Sequence, residues 1–171
     1  FVPPGFSPLH GAFHRGLQND QALPQVGVHY ITAGGNGTVT VTGTGGASTG
    51  DSNYGVNVVN SESQITSEGG NITVIGQGGG LGTSGSNHGV RITNGGNGPG
   101  KIKATGNGTL TVIGVGGGVN GNNNLGVHLW SASIEGGTTG LVKVSGTGGN
   151  STGDNNYGVQ VSNTNSTITS S

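Results

Sequence analysis

The side chains able to do chemistry are few in this chain of 171 residues. They are six carboxylates, five histidines, five Lys and Arg, one Trp and three Tyr, with no cysteine and no methionine. Catalysis needs acids, bases or nucleophiles that converge. Asp51 and Asp154 stand in near-copies of one segment, STGDSNYGVNV from Ser48 and STGDNNYGVQV from Ser151. Three units apart in a stacked array, their carboxylates would lie roughly 14 Å from each other, beyond the separation of either type of glycosidase pair. Glu62 and Glu68 fall near one unit and Lys101 and Lys103 near the next, which predicts surface ion pairs worth at most about 1 kcal/mol.

His10 and His14 have the i, i+4 spacing that suits a metal on a helix, but the sequence offers no third ligand, and a surface pair is expected. His29 and His128 each follow a Gly-Val pair and read as outward-facing strand positions. The segment Asp51-Ser52-Asn53 only echoes a calcium-binding nonapeptide and reads as an Asx turn. Without cysteine, thiolate metal sites and disulfides are excluded. The expectation is a chain with no catalytic residue, no cofactor and no metal, hence not an enzyme.

Five Asn-X-Ser/Thr sequons occur, at Asn36, Asn71, Asn107, Asn150 and Asn165. The first three are spaced 35 and 36 residues apart, one per repeat unit. In a glycosylating secretory compartment they predict a file of glycans along one edge. An Asn ladder stacked inside that corner is the alternative. Thr38, Thr40 and Thr42 alternate as on an ice-binding strand, but Gln77, Lys143 and Ser145 interrupt the array. Trp130 and Tyr157 are candidates to stack on a sugar ring. One Trp and scattered Tyr make no platform, and Tyr54 and Tyr157 are expected at coil corners.

These residues ride on a repeat. Gly-Val recurs at Gly27, Gly55, Gly89, Gly126 and Gly158, and the last four share the pattern N-(Y/H/L)-G-V. A second cluster follows at Ile65, Ile102 and Ile168, with Ile134 a looser match. A third comprises Val39-Thr40-Val41, Ile72-Thr73-Val74, Leu110-Thr111-Val112 and Val142-Lys143-Val144. Each unit ends in a glycine-rich stretch, and the near-copies at Ser48 and Ser151 are offset by 103 residues, three units. Short alternating clusters are strands, and Gly, Asn and Ser supply the positive-φ corners. No such strand buries its apolar face alone. Stacking each on its counterpart gives an all-β fold, a parallel β-helix of about five coils with three short strands per coil. A right-handed coil is expected, and the rod would be on the order of 20–25 Å long.

The net charge is −1, against the basic face a nucleic-acid binder needs. No run of 18 apolar residues provides for membrane insertion by a helix. The pattern NYGVxV…xITSxGGNITVxGxGGG resembles the β-helical repeats of bacterial haemagglutinin- and autotransporter-type surface proteins, over about Val26 to Ser171. That resemblance implies a secreted or cell-surface location and a stalk or adhesin, and it carries no functional residue with it.

Residues 1–25 stand outside the repeat as an N-terminal arm or cap, and 26–171 form the β-helix. Ser7-Pro8 predicts a short helix start, with Leu9, Phe13 and Leu17 on one face. The first coil, from Val26, reads as lacking its second strand, and the last stops before its third. An end of that kind, with unpaired backbone, either invites association or marks a piece of a longer rod cut within a coil, which the internal near-copy also suggests. Two functions are expected from this. The first is an extracellular structural solenoid in a fibre or stalk, stacked head to tail, with Phe1, Val2, Phe6, Leu9, Phe13 and Leu17 meeting Ile168 of a neighbour. The second is a carbohydrate-binding adhesin module with glycans as partners.

Overall fold

A computed structural model describes residues 29–170. The first coil is β1 (His29–Ala33), β2 (Val39–Thr44) and β3 (Val56–Val59). The second is β4 (Ser63–Ser67), β5 (Ile72–Gln77) and β6 (Val90–Thr93). The third is β7 (Lys101–Ala104), β8 (Leu110–Val115) and β9 (Val127–Trp130). The fourth is β10 (Ser133–Glu135), β11 (Val142–Thr147) and β12 (Val159–Ser162), and β13 (Thr167–Thr169) opens a fifth. Every strand pairs in parallel with its counterpart one coil away, giving three sheets in the orders β1-β4-β7-β10-β13, β2-β5-β8-β11 and β3-β6-β9-β12. The chain is a β-solenoid with three strands per coil. Four coils are complete, where the repeat predicts about five.

The core is a set of in-register columns. Ile31, Ile65, Ile102, Ile134 and Ile168 form one in the first sheet, so Ile134 is a full member. Val39, Ile72, Leu110 and Val142, with Val41, Val74, Val112 and Val144, line the second. Val56, Val90, Val127 and Val159, with Val58, Ile92, Leu129 and Val161, line the third. In the middle coils these side chains are fully buried. Each contributes about 1.5–3 kcal/mol by burial, so a thin rod closes on few apolar residues per coil.

The first coil departs from expectation. His29–Ala33 pairs with Ser63–Ser67, so it occupies the second-cluster phase and not the Gly-Val phase. The first coil therefore has this strand, and Gly27-Val28 lies outside the described residues. The helix expected near Ser7, the pair His10 and His14, and Phe1, Val2, Phe6, Leu9, Phe13 and Leu17 all lie outside the described residues.

Glycine sets the shape of the corner between the second and third sheets. Gly43, Gly76, Gly114 and Gly146 form a column, and a Cβ on any of them would overlap the carbonyl of Gly55, Gly89, Gly126 or Gly158 respectively. Those four carbonyls belong to the glycines of the Gly-Val pairs. The two backbones approach too closely for any side chain.

An asparagine ladder closes the same corner, at the Asn of the N-(Y/H/L)-G-V pattern and not at the sequons. The Asn87 Oδ1 accepts the backbone N–H of Asn53 at 2.9 Å, and the Asn124 Oδ1 accepts that of Asn87 at 3.0 Å. The Asn156 Oδ1 accepts the N–H of Asn124 at 2.9 Å. Each side-chain amide then donates within its own turn, Asn87 to the Ser84 carbonyl at 3.0 Å and Asn124 to the Gly121 carbonyl at 2.8 Å. The main-chain carbonyls of Asn53, Asn87 and Asn124 accept from Gly79, Gly117 and Gly149. The residue before each ladder Asn has positive φ, at Ser52, Ser86, Asn123 and Asn155, a conformation that suits short polar side chains.

Two substitutions and one control test this corner. Gly76→Ala should destabilise by at least about 3 kcal/mol, whereas Gly50→Ala, which meets only the Ser48 hydroxyl at ordinary contact distance, should cost under about 1 kcal/mol. Asn124→Ala strands the buried Asn87 N–H and should cost about 2–4 kcal/mol. Urea unfolding of the three variants measures both.

Candidate functional site

The outward positions of the third sheet also form columns. One is Asn57, Arg91, His128 and Gln160, and the next is Val59, Thr93, Trp130 and Ser162. Beside them, just before each Gly-Val pair, stand Tyr54, His88, Leu125 and Tyr157. In coils one to three these columns bring together aromatic, imidazole and guanidinium groups. Tyr54 stacks on His88 with ring centroids 5.4 Å apart. His88 meets His128 edge-on at 4.8 Å, and His128 meets Trp130 edge-on at 5.8 Å. The Arg91 guanidinium lies 5.1 Å from the Tyr54 ring centroid, within cation–π range. Together with Ser86, Thr93 and Asn94 they line an open cleft of about 280 Å³, at the small end of ligand sites.

Exposure divides the group by role. Trp130 is 46% exposed at the cleft mouth, while His88 and His128 are buried at 4% and 8%. The His29 side chain lies outside the described residues, and the outward position expected for His128 holds only in part. The two histidines are in different sheets, and His128 is covered by its neighbours although its column faces outward. The His88 Nδ1 accepts the Leu125 N–H at 3.3 Å. Neither ring nitrogen of His128 has a partner among the described residues. Burial, then the nearby His128 and Arg91, push His88 down to about 3 against a raising contact from the Asn123 backbone. Burial and then Arg91 push His128 down to about 4. Both imidazoles are neutral at pH 7.

The acids sit elsewhere. Glu135, not Glu62 or Glu68, pairs with the lysines, at 3.6 Å from Lys101 and 3.2 Å from Lys103. Glu68 instead accepts the Gly35 N–H at 2.7 Å, across coils. Burial raises the Glu135 carboxyl, but the Ser133 hydroxyl and the two lysines outweigh it and hold Glu135 below its usual range. Asp51 and Asp154 serve corners one coil apart from their partners. The Asp51 carboxylate accepts the Gly85 N–H, and the Asp154 N–H donates to the Asn122 side chain, both at 2.7 Å. Among the described residues no three His, Asp or Glu gather in a metal-ligating group, and no helix is long and apolar enough to cross a membrane.

All five sequon asparagines are exposed, but they do not form one file. The Asn71 carbonyl accepts the Val39 N–H, and the Asn71 side chain accepts the Thr109 N–H at 2.8 Å. Asn71 is thus level with Thr38 and Thr109. Asn36 abuts Gly69, and the Asn107 side chain accepts the Thr139 hydroxyl at 2.9 Å, two residues out of phase with Asn71. The threonine array also breaks, because Thr42 continues as Ile75, Ile113 and Ser145. Tyr157 is 49% exposed and donates to Asn155 at 2.9 Å, apart from the cleft.

The signal for the cleft is present in the sequence but unaligned. Once the Gly-Val pairs are placed in register, Arg91 and His128 stand at the same step after Gly89 and Gly126, and His88 replaces the Tyr of the outer coils. Burial of the two histidines follows from side chains in neighbouring coils, which spacing along the chain does not reveal. No family model, curated protein or solved structure matches the chain.

The imidazoles give a pH signature. In the unfolded chain each protonates near 6.5, and in the folded chain only near about 3 and about 4. The unfolded state binds more protons across this interval, so stability is full above pH 6.5 and falls as pH drops toward 4. Each tenfold loss of proton affinity on folding corresponds to about 1.4 kcal/mol. Urea unfolding between pH 7 and pH 5 should show a loss on the order of 2–4 kcal/mol. The double variant H88Q/H128Q should flatten the slope, and an unchanged slope would contradict the assignment.

Proposed function

We propose that the chain is a structural β-solenoid forming part of an extracellular or cell-surface fibre or stalk, with copies stacked head to tail. One observation carries this reading. In the last described coil the inward Val159, Val161 and Ile168 are 40%, 47% and 37% exposed, although Val127, Leu129 and Ile134 beside them are fully buried. In the first coil Val39, Val56 and Val58 are buried at 6%, 8% and 4%, while Ile31 is 39% exposed. The last described coil presents apolar surface together with the unpaired backbone of β11, β12 and β13, the template that invites strand addition. In this reading the arm residues Phe1, Val2, Phe6, Leu9, Phe13 and Leu17 of one copy cover Ile168 of the next. A heterologous contact of this kind extends without closing.

Other features support the reading. A net charge of −1 permits stacking without repulsion, and a chain free of Cys and Met has no oxidisable sulfur. The repeat's likeness to haemagglutinin- and autotransporter-type surface proteins agrees with it. The role requires no catalysis and no cofactor. In a glycosylating secretory route, the exposed Asn36, Asn71, Asn107, Asn150 and Asn165 would carry glycans. A second reading, a glycan-binding adhesin module, is favoured by the exposed Trp130 beside Arg91 and His128.

Sedimentation velocity of the full chain over a range of concentrations tests the stacking. The wild type should form growing oligomers. The double variant V161K/I168K should stay monomeric with an unchanged far-ultraviolet spectrum. A wild type that remains monomeric to millimolar concentration would overturn the proposal.

A further inference from the structure

The cleft on the third sheet is lined by two groups that the fold leaves open to a ligand. His128 is not one of them, because both its ring nitrogens are closed off from solvent and have no partner among the described residues. Arg91 has no carboxylate partner among the described residues, and its one side-chain hydrogen bond is a long one of 3.4 Å to Asn57. Trp130 presents nearly half its surface at the mouth. Each missing partner describes part of a ligand.

An exposed indole offers an apolar face bounded by a polar rim, which suits the C–H face of a pyranose. A single guanidinium offers a planar fork for one carboxylate. No Lys and no Asp or Glu lines the cleft, so a monoanion is matched in charge and a phosphate dianion would be left half neutralised. A divalent metal on His88 and His128 does not fit. The His88 Nδ1 already accepts a backbone N–H, no carboxylate completes the ligand set, and Arg91 places a positive charge alongside.

We propose that this cleft binds a carboxylate-bearing sugar, a hexuronate unit of an acidic polysaccharide, with its carboxylate on Arg91 and its ring against Trp130. The proposal rests on the glycan-binding reading and narrows it to acidic sugars. It is compatible with a fibre, because the cleft lies on the side of the solenoid, in coils one to three, and leaves the last described coil free.

Trp130 is the sole tryptophan of the chain, so its fluorescence reports on the cleft alone. The full chain would be titrated at pH 7 with galacturonate, glucuronate and mannuronate oligomers and with their neutral hexose counterparts, followed by fluorescence and calorimetry. At least one hexuronate series should shift the Trp130 emission and bind at least about tenfold tighter than its neutral counterpart. Arg91→Gln should remove that preference while keeping the melting curve of the wild type, and W130A, followed by calorimetry, should weaken binding to acidic and neutral forms alike. Equal binding of acidic and neutral oligomers would overturn the acidic assignment and leave the wider glycan reading standing. Absence of binding by every oligomer would overturn both.

Discussion

The structure depends on a corner where two backbones touch. Between the second and third sheets, the glycines at 43, 76, 114 and 146 lie so close to the carbonyls of 55, 89, 126 and 158 that no Cβ fits. That approach fixes the angle between the sheets and the width of the core. The ladder of Asn53, Asn87, Asn124 and Asn156 then satisfies the backbone donors that so tight a turn would strand. Parallel pairing follows from this. Once the corners of successive coils are stacked by the ladder, the strands between them have no freedom to slip, and every Val and Ile column falls inward together.

A solenoid of this kind is regular where it must be and free elsewhere. The corner columns tolerate little change, whereas the outward positions of each strand are constrained only by their neighbours above and below. The near-copies in coils one and four show the contrast. Both carry Tyr at the position before Gly-Val, with Asn57 and Gln160 at the next outward step. The middle coils depart from that pattern at just those positions, with His88, Arg91, His128 and Trp130. The cleft lies where the repeat stops repeating, which sets its chemistry apart from the chemistry that holds the rod together.

The sequence disclosed the three strand clusters of each coil and their in-register columns, because a period-2 pattern repeated at nearly constant spacing has few three-dimensional solutions. It misplaced the first coil because Gly27-Val28 reads as the repeat dipeptide, while Ile31 pairs with Ile65 only in space. It misread the sequons as one file because the second-sheet strands recur unevenly, at 33 residues from Val39 to Ile72 and 38 from Ile72 to Leu110, so near-equal sequon spacing along the chain does not give equal phase within the coil. The ladder asparagines were visible as a repeated letter, but sequon logic drew attention to other asparagines. The buried histidines were hidden for a different reason. His88 is covered by Tyr54 of the coil before it, and His128 by His88 of the coil before it and by Trp130 of its own strand, and an outward strand position is normally wet.

Native-state hydrogen exchange resolved residue by residue tests the central claim that the corner ladder, and not the strands alone, holds the coils in register. The backbone amides of Asn87 and Asn124, which donate to ladder side chains, should be protected as strongly as those of Val90 and Val127, which lie in the sheet. They should open only with the whole solenoid. Exchange of Asn87 and Asn124 at the rate of the exposed Gly50 loop, with Val90 and Val127 still protected, would contradict the account.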